Sequence, residues 1–383
     1  MSTALAATEA TTTIVRARSF DALVDLKATW NELAGQYPTR RYEWCEAWWR
    51  HWGTPGNNLL VALIYDEQGM LIGIAPWYVE RSMLSGRVLR FLGSGEACSD
   101  FLSILARLGR ERDVAERLAE WLVGEQRDEW DLLDLEAVAT EDETCAVFAH
   151  EMQRRGHLVN RRQSLNTWRI ALPANWDDFV QGMSKPNRRK VRTLETRAIS
   201  TDRAKLHVVR ERWELKRAFD VLCELHERRR QSLGQRGCFS SARFTQFHRD
   251  IAAIFFEAGI LRLSWTELDG KPVAADYGFN LGNIAYAYQS GIAPEAASEN
   301  PGWLQITLSL RAAIEQGYAQ FDFLRGDERY KSAWRAEPVP LVDLQIVSRR
   351  AMARGRHAAA QFTSALRCAA RYTLSSLRSR TKA

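Results

Sequence analysis

LVALIYDEQGMLIGIAPWYV, residues 60–79, and LRLSWTELDGKPVAADYGFN, residues 261–280, follow one plan. Each is an apolar, β-rich run, a turn closed by an acidic residue and a glycine, and a second apolar run. In the first copy Leu59–Tyr65 and Leu71–Val79 predict two strands about the turn at Asp66–Gly69, and Val88–Leu92 predicts a third. In the second, Leu261–Glu267 and Pro272–Asn280 predict strands joined by the hairpin dipeptide Asp269–Gly270, with another strand at Ile284–Ser290. A plan that returns after about half the chain predicts two copies of one supersecondary unit.

The flanks extend both copies. Asp21–Leu33 and Tyr42–Trp52 carry apolar residues at helical spacing and predict two opening helices. Phe101–Leu105 then predicts a strand, Arg112–Gly124 a helix and Trp130–Leu135 a strand. In the second half Ser184–Ile199 and Glu214–Leu233 predict helices rich in bases, Trp303–Gln316 a helix and Gln320–Leu324 a strand. The expected fold class is α/β, with two tandem domains, each a mixed, mostly antiparallel sheet flanked by helices. Expected boundaries are a disordered N-terminus at 1–13, a first domain at 14–165, a second domain with a basic helical insert at 166–345, and a basic amphipathic helix at 346–383. Phe362, Leu366, Ala369, Thr373 and Leu377 lie on one stripe of that last helix.

Composition narrows the class. At 383 residues, 46% hydrophobic and 26% charged, each unit can bury a core, which excludes general disorder. Net charge is +6, but nine bases and no acid fall in residues 344–383, so the rest carries 44 bases against 47 acids. A near-neutral body argues against a nucleic-acid protein. Six scattered cysteines without a CxxC fit neither a zinc ribbon nor a disulfide framework and suggest a reducing compartment. There is no basic, apolar leader and no apolar run near the ~20 residues a membrane span needs, so a cytoplasmic location is expected. HExxH, GxxxxGK[ST] and GxSxG are all missing, as is any metal-spaced His/Cys cluster, so no metal is expected.

Several segments could carry chemistry. Asn300-Pro301-Gly302-Trp303 reads as a helix start capped by Asn300, with the amides of Gly302, Trp303 and Leu304 unspent and able to hold a phosphate; an ordinary capped helix gives the same letters. The strand after that helix runs into Gly326-Asp327-Glu328-Arg329-Tyr330-Lys331, which puts polar groups at the carboxyl edge of a sheet. There Lys331 suits a developing oxyanion or a phosphate, Asp327 suits a proton acceptor, and Tyr330 stands beside them, unless the segment is a salt-bridged surface loop. Lys185, Arg188, Arg189 and Arg192 crowd the first turns of a helix opened by Ser184, where cations oppose the helix dipole; bound phosphate or plain solvation would compensate. Asp100 is a turn residue or a cleft acid. His226, between Glu224 and Glu227, reads as a solvated helix residue.

Together these features resemble a family. Trp44–Trp52, Gly73-Ile74-Ala75-Pro76, Phe91-Leu92-Gly93 with Ser99-Asp100, the Ser184–Arg192 helix, Pro272-Val273-Ala274-Ala275, Gly291, Pro301-Gly302, and Asp322-Phe323 with Gly326, Tyr330-Lys331 and Trp334 are similar to the tandem acetyltransferases of the cellulose-biosynthesis-associated or BioF-like type. These form a branch of the GNAT superfamily related to Fem aminoacyltransferases, and the resemblance runs from about Trp30 to Asp343. It implies two GNAT-like domains and transfer of an acyl group from a thioester, with acyl-CoA as the expected co-substrate, to an amine or hydroxyl of a sugar or cell-envelope precursor. Gly302 would face the donor and Lys331 the transferred carbonyl. RFLGSG, residues 90–95, spells the R/Q-x-x-G-x-G pyrophosphate loop of GNAT enzymes but precedes an expected strand, which favours a structural turn. The second half lacks that loop, so an acyl carrier protein or an aminoacyl-tRNA remains open as donor. A noncatalytic accessory protein, docked on an anionic membrane through its basic tail, is the alternative from another class. Nucleic acid is expected only as tRNA in the Fem-like case.

Overall fold

The computed structural model describes residues 12–362. Of the expected disordered segment 1–13, residues up to 11 lie outside the described residues and Thr13 already opens a strand; the expected amphipathic stripe beyond Phe362 also lies outside them. The first half contains β1 (Thr13–Ala17), α1 (Lys27–Ala34), α2 (Tyr42–Trp52), β2 (Asn58–Tyr65), β3 (Leu71–Ser82), β4 (Gly86–Phe91), β5 (Leu105–Ala106), α3 (Glu111–Val123), β6 (Leu132–Ala139), α4 (Glu143–Arg154) and β7 (Leu158–Gln163). The second contains β8 (Thr167–Ala171), α5 (Trp176–Gln181), α6 (Lys185–Leu194), β9 (Ala204–Val208), α7 (Glu214–Ser232), α8 (Ala242–Glu257), β10 (Leu261–Leu268), β11 (Lys271–Leu281), β12 (Ile284–Ile292), α9 (Pro301–Glu315), β13 (Gln320–Arg325), α10 (Tyr330–Ala333), β14 (Glu337–Val339) and β15 (Leu341–Val347). Residues 351–362 are helical.

The two hairpins form where the turn chemistry places them. Asp66 Oδ1 accepts the amides of Gln68 and Met70 at 3.0 and 2.8 Å, which folds the β2–β3 connection back on itself. Asp269 and Gly270, at φ 51° and 77°, both take the left-handed conformation that a two-residue turn needs to match the twist of β10 and β11.

Each half builds one mixed sheet, ordered β1-β2-β3-β4-β6-β15-β7 and β9-β10-β11-β12-β13-β8-β14, with β5 beside β3. The orders match position by position, as the repeat predicted, except that the halves trade a strand. β8 leaves β7 and inserts between β13 and β14, while β15 leaves β14 and inserts between β6 and β7. This corrects two expectations: Leu341–Val347 joins the first sheet instead of ending the second, and Ile346 and Val347 are buried strand residues, not helix.

In both sheets one parallel pair opens like a V. β4 meets β6 at Val88–Leu132 and Leu89–Leu133, and β12 meets β13 only over Ile284–Tyr286 with Gln320–Asp322. Beyond those contacts each inner strand is kinked by a left-handed residue, Ala137 at φ 57° in β6 and Leu324 at φ 54° in β13, beside a register shift. Of the expected strand at Phe101–Leu105 only the end forms, as the two-residue β5. Phe101 has φ 60°, and the loop before it is drawn onto the second half by hydrogen bonds described below.

One core spans the halves. The Trp44 indole of α2 lies 5.0 to 6.2 Å, centroid to centroid, from Phe247, His248 and Phe255 of α8, Phe279 of β11 and Tyr288 of β12. Its Nε1 donates to Ser99 Oγ at 2.9 Å, so the one polar handle of a fully buried ring is satisfied.

Candidate active site

Past Tyr286, β12 runs on to Ile292 without β13 beside it, and the loop 92–101 of the first half covers the opening. Tyr288 Oη donates to the Ala97 carbonyl, and Tyr286 Oη donates to that of Gln36 at 2.8 Å. Asp100 is 1% exposed and accepts from the Arg325 amide at 2.9 Å and from its guanidinium, which also donates to the Ser99 carbonyl. Burial raises the Asp100 carboxyl pKa while Arg325 opposes the rise. Asp100 is therefore a latch between halves, and the expectation of a cleft acid gives way to it. Just inside lies fully buried Asp322, held by Arg169 at 2.8 Å and pushed up to about 6 by burial.

At the free end of β12 stands a group the sequence reading set aside. His226 is 3% exposed, not solvated. Its Nδ1 lies 2.9 Å from the Ser290 carbonyl, which can only accept, so Nδ1 carries the hydrogen and Nε2 is a bare lone pair. That lone pair faces Cys238 Sγ at 3.5 Å. Gln289 Nε2 donates to the same sulfur at 3.3 Å; its Oε1 is occupied by the Ser290 amide at 3.1 Å, which fixes the orientation of the amide. Beside them Glu227 keeps one buried carboxylate oxygen without a hydrogen-bond partner among the described residues. Gly237 makes the cluster possible: a Cβ there would sit 2.1 Å from Glu227 Oε1 and 2.8 Å from the His226 ring. Burial lowers the His226 pKa and pushes the Cys238 thiol up to about 12. His226 was legible, since Ala218, Phe219, Leu222 and Leu225 make the buried stripe of α7 that includes position 226. Nothing in the sequence joins it to Cys238.

The start of α9 follows β12 closely, with Ile292 3.8 Å from where a Gly302 Cβ would be. Leu304 is withdrawn from the expected phosphate cradle, because its amide donates to the Asn300 carbonyl at 3.1 Å and its side chain is buried. Asn300 makes no side-chain cap; it sits at φ 53° and turns its Nδ2 to the Ser298 carbonyl. The amides of Gly302 and Trp303 stay in the first turn, where a helix has no acceptors of its own.

The structure brings the basic helix to this spot. Lys190 of α6 lies 4.4 Å from the Trp303 ring centroid, and Asn187 Nδ2 donates to the Ala333 carbonyl at 2.9 Å, fixing α6 against α10. Lys190 has no acid partner among the described residues, and burial lowers its pKa. Lys185 and Arg189 are exposed and likewise unpaired among the described residues. Arg192 is spent on Asp177 and Glu195 at 2.7 and 3.0 Å, and Arg188 donates to the Gln181 carbonyl at 2.9 Å. Ser184 opens α6 without a side-chain cap.

Lys331 has a different place from the expected one. It is 2% exposed, and its Nζ donates to the carbonyls of Leu324, Arg325 and Gly326 at 3.0, 2.9 and 2.9 Å and pairs with Glu328 at 3.0 Å. An ammonium with all three protons spent cannot polarise a substrate carbonyl; it ties down the kink of β13. Asp327 is exposed and accepts from Asn166 and the Trp168 indole at 3.0 and 3.1 Å. Tyr330 is exposed and packs its ring edge-on to Phe323 at 5.9 Å. The RFLGSG turn is also structural: the Gly95 amide donates to Glu136 Oε1 at 2.5 Å, which puts a carboxylate where a diphosphate would bind.

Residues 185–332 match the family model described as an acetyltransferase (GNAT) domain. The match begins at α6 and ends in α10, so it contains the α9 start, the β12–β13 opening and the His226–Cys238 pair. The second half thus carries a GNAT-type acetyltransferase domain, and the class of the enzyme is acyltransferase. No curated protein matches the chain by sequence. Among solved structures the fold is similar to that of FemX, at 12% identity and TM-score 0.60, covering 83% of this chain and 95% of that one. It is also similar to a conserved protein of unknown function from Bacteroides thetaiotaomicron VPI-5482, at 10% identity and TM-score 0.57, covering 88% and 100%. At such identities the likeness is one of fold. Among the described residues no group of His, Cys, Asp and Glu could hold a metal ion, and no helix is long and apolar enough to cross a membrane.

Proposed function

We propose that the protein moves an acyl group from acyl-CoA to an amine of a polysaccharide or cell-envelope precursor. The observation that carries this reading is the juxtaposition of unspent first-turn amides at Gly302 and Trp303 with the unpaired cation Lys190, on a helix that also carries exposed Lys185 and Arg189. Amides, dipole and ammonium groups all favour a phosphorylated donor. A thioester arrives activated, so the protein has mainly to orient it and take a proton from the acceptor. His226 Nε2 is the buried base at that end of β12.

The polysaccharide or cell-envelope setting and the acetyltransferase subtype rest on the sequence resemblance, and contact of the basic tail with a membrane rests on the tail's charge. Purified protein incubated with acetyl-CoA and longer acyl-CoAs, with aminosugars as acceptors and mass-spectrometric readout, tests the reading. Product formation and a thermal shift with CoA support it. A shift with tRNA and none with any CoA thioester moves the donor to an aminoacyl-tRNA, and no response to either rejects enzymatic transfer.

A further inference from the structure

We propose that Cys238 receives the acyl group covalently before the acceptor does, with His226 as its base. The inference rests on the acyl-transfer reading above and adds an intermediate to it.

Three geometric facts converge on the sulfur. The Ser290 carbonyl forces the Nδ1–H tautomer on His226, which leaves the Nε2 lone pair 3.5 Å from Sγ, where it accepts the thiol proton. The Gln289 amide, locked by the Ser290 N–H, donates to Sγ at 3.3 Å and stabilises charge that develops there. Cys238 is partly exposed while its base is buried, so water does not surround the imidazole. Cys45 and Cys145 are buried, and neither exposed Cys98 nor partly exposed Cys223 makes a side-chain hydrogen bond with a histidine among the described residues. A nucleophile, a base with a fixed tautomer, and a carbonyl orienting that base are the parts of nucleophilic catalysis.

Because burial disfavours a standing thiolate, proton removal accompanies attack. Sγ bonds to the thioester carbonyl carbon as its proton passes to Nε2; the carbon–sulfur bond of the donor then breaks, and the departing thiolate takes that proton and leaves as free thiol. In the second half-reaction the acceptor amine attacks the acyl-cysteine carbonyl, gives its proton to Nε2, and Sγ leaves and recovers it. No redox partner is needed and the imidazole ends neutral.

The test treats the full chain with acetyl-CoA and, separately, with the small thioester S-acetyl-N-acetylcysteamine, followed by peptide mass spectrometry. The expected result is a hydroxylamine-labile acetyl group on Cys238, at least tenfold more than on exposed Cys98, and at least tenfold less in His226→Gln. Cys238→Ser, which keeps the shape of the side chain, checks that folding survives and should abolish turnover. Equal labelling of Cys98 and Cys238, or no labelling by either thioester, overturns the proposal. Unimpaired transfer in Cys238→Ala overturns it and leaves the proposed function standing. Labelling by the small thioester but not by acetyl-CoA supports the nucleophile and sinks the acyl-CoA donor.

Discussion

Asp100 of the loop after β4, its carboxylate buried, and half-buried Arg325 at the end of β13 form an ion pair reinforced by the Arg325 amide at 2.9 Å. One carboxylate so accepts both a side chain and the backbone of the other half, next to the kink of β13. Asp100→Ala takes the partner from a guanidinium that is 26% exposed and keeps the Ser99 carbonyl, and loss of about 2–3 kcal/mol of stability is expected. A chemical-denaturation cycle of Asp100→Ala, Arg325→Met and the double variant measures it. The double variant should be more stable than the sum of the singles implies; simple additivity would show that the pair does not couple the halves.

Gly302→Ala separates folding from binding. The new Cβ would lie 3.8 Å from Ile292, an ordinary contact, and alanine suits a helix better than glycine by about 0.5–1 kcal/mol. Unchanged or higher thermal stability with a severalfold rise in KM for acyl-CoA is expected. A KM equal to that of the parent protein would remove the α9 start from the donor site.

Lys190→Ala should raise the same KM by roughly three- to tenfold, in keeping with loss of one phosphate contact of about 1 kcal/mol, and flatten its dependence on salt. Arg192→Ala serves as the control, because Arg192 is already paired with Asp177 and Glu195. If the two variants behave alike, the cations of α6 act as a general field and not through Lys190.

Lys331→Met leaves three carbonyls without their donor and should cost about 2–4 kcal/mol. The loss should appear as a lowered melting temperature with kcat per folded molecule largely kept. A stable variant with abolished kcat would return Lys331 to the chemistry.

Stability should fall on acidification below about pH 6.5, the ordinary histidine range. Burial lowers the pKa of His226, lowers that of His248 well below the ordinary value, and brings His157 to about 4. The unfolded chain therefore binds protons that the native one refuses, and stability is lost as pH falls from that range toward 4. Asp322, pushed up to about 6, works the other way between its unfolded value and 6, since the native state holds that proton. The histidine effect starts at the higher pH, so calorimetry at about pH 7.5, 6.5 and 6 should show the decline first. His157→Gln should flatten the decline, and an unchanged slope would mean that burial does not lower the His157 pKa.

The hairpins were readable because their signals are local: an acid, a glycine and two apolar runs suffice for Asp66–Gly69 and Asp269–Gly270. The position of α9 was readable for the same reason. What the letters could not carry is pairing at a distance. Leu341–Val347 has strand composition, but nothing in it names β6 as its neighbour, and so it was assigned to the wrong sheet. Lys331 shows the limit at the site: a lysine after a strand is compatible with both substrate and backbone carbonyls, and only the kink at Leu324 decides between them. Cys238 and His226 meet because α7 and the segment after it fold back around Gly237, a relation fixed by packing and not by spacing.

The exchange of β8 and β15 bears on how the chain is made. As the polypeptide leaves the ribosome, β6 and β7 emerge early, yet the strand that belongs between them arrives only after nearly all of the second sheet. Until then the nascent first half presents two unpaired edges to its surroundings, so neither half is a natural cut point for expression on its own, and holding those edges apart during synthesis is work suited to a chaperone.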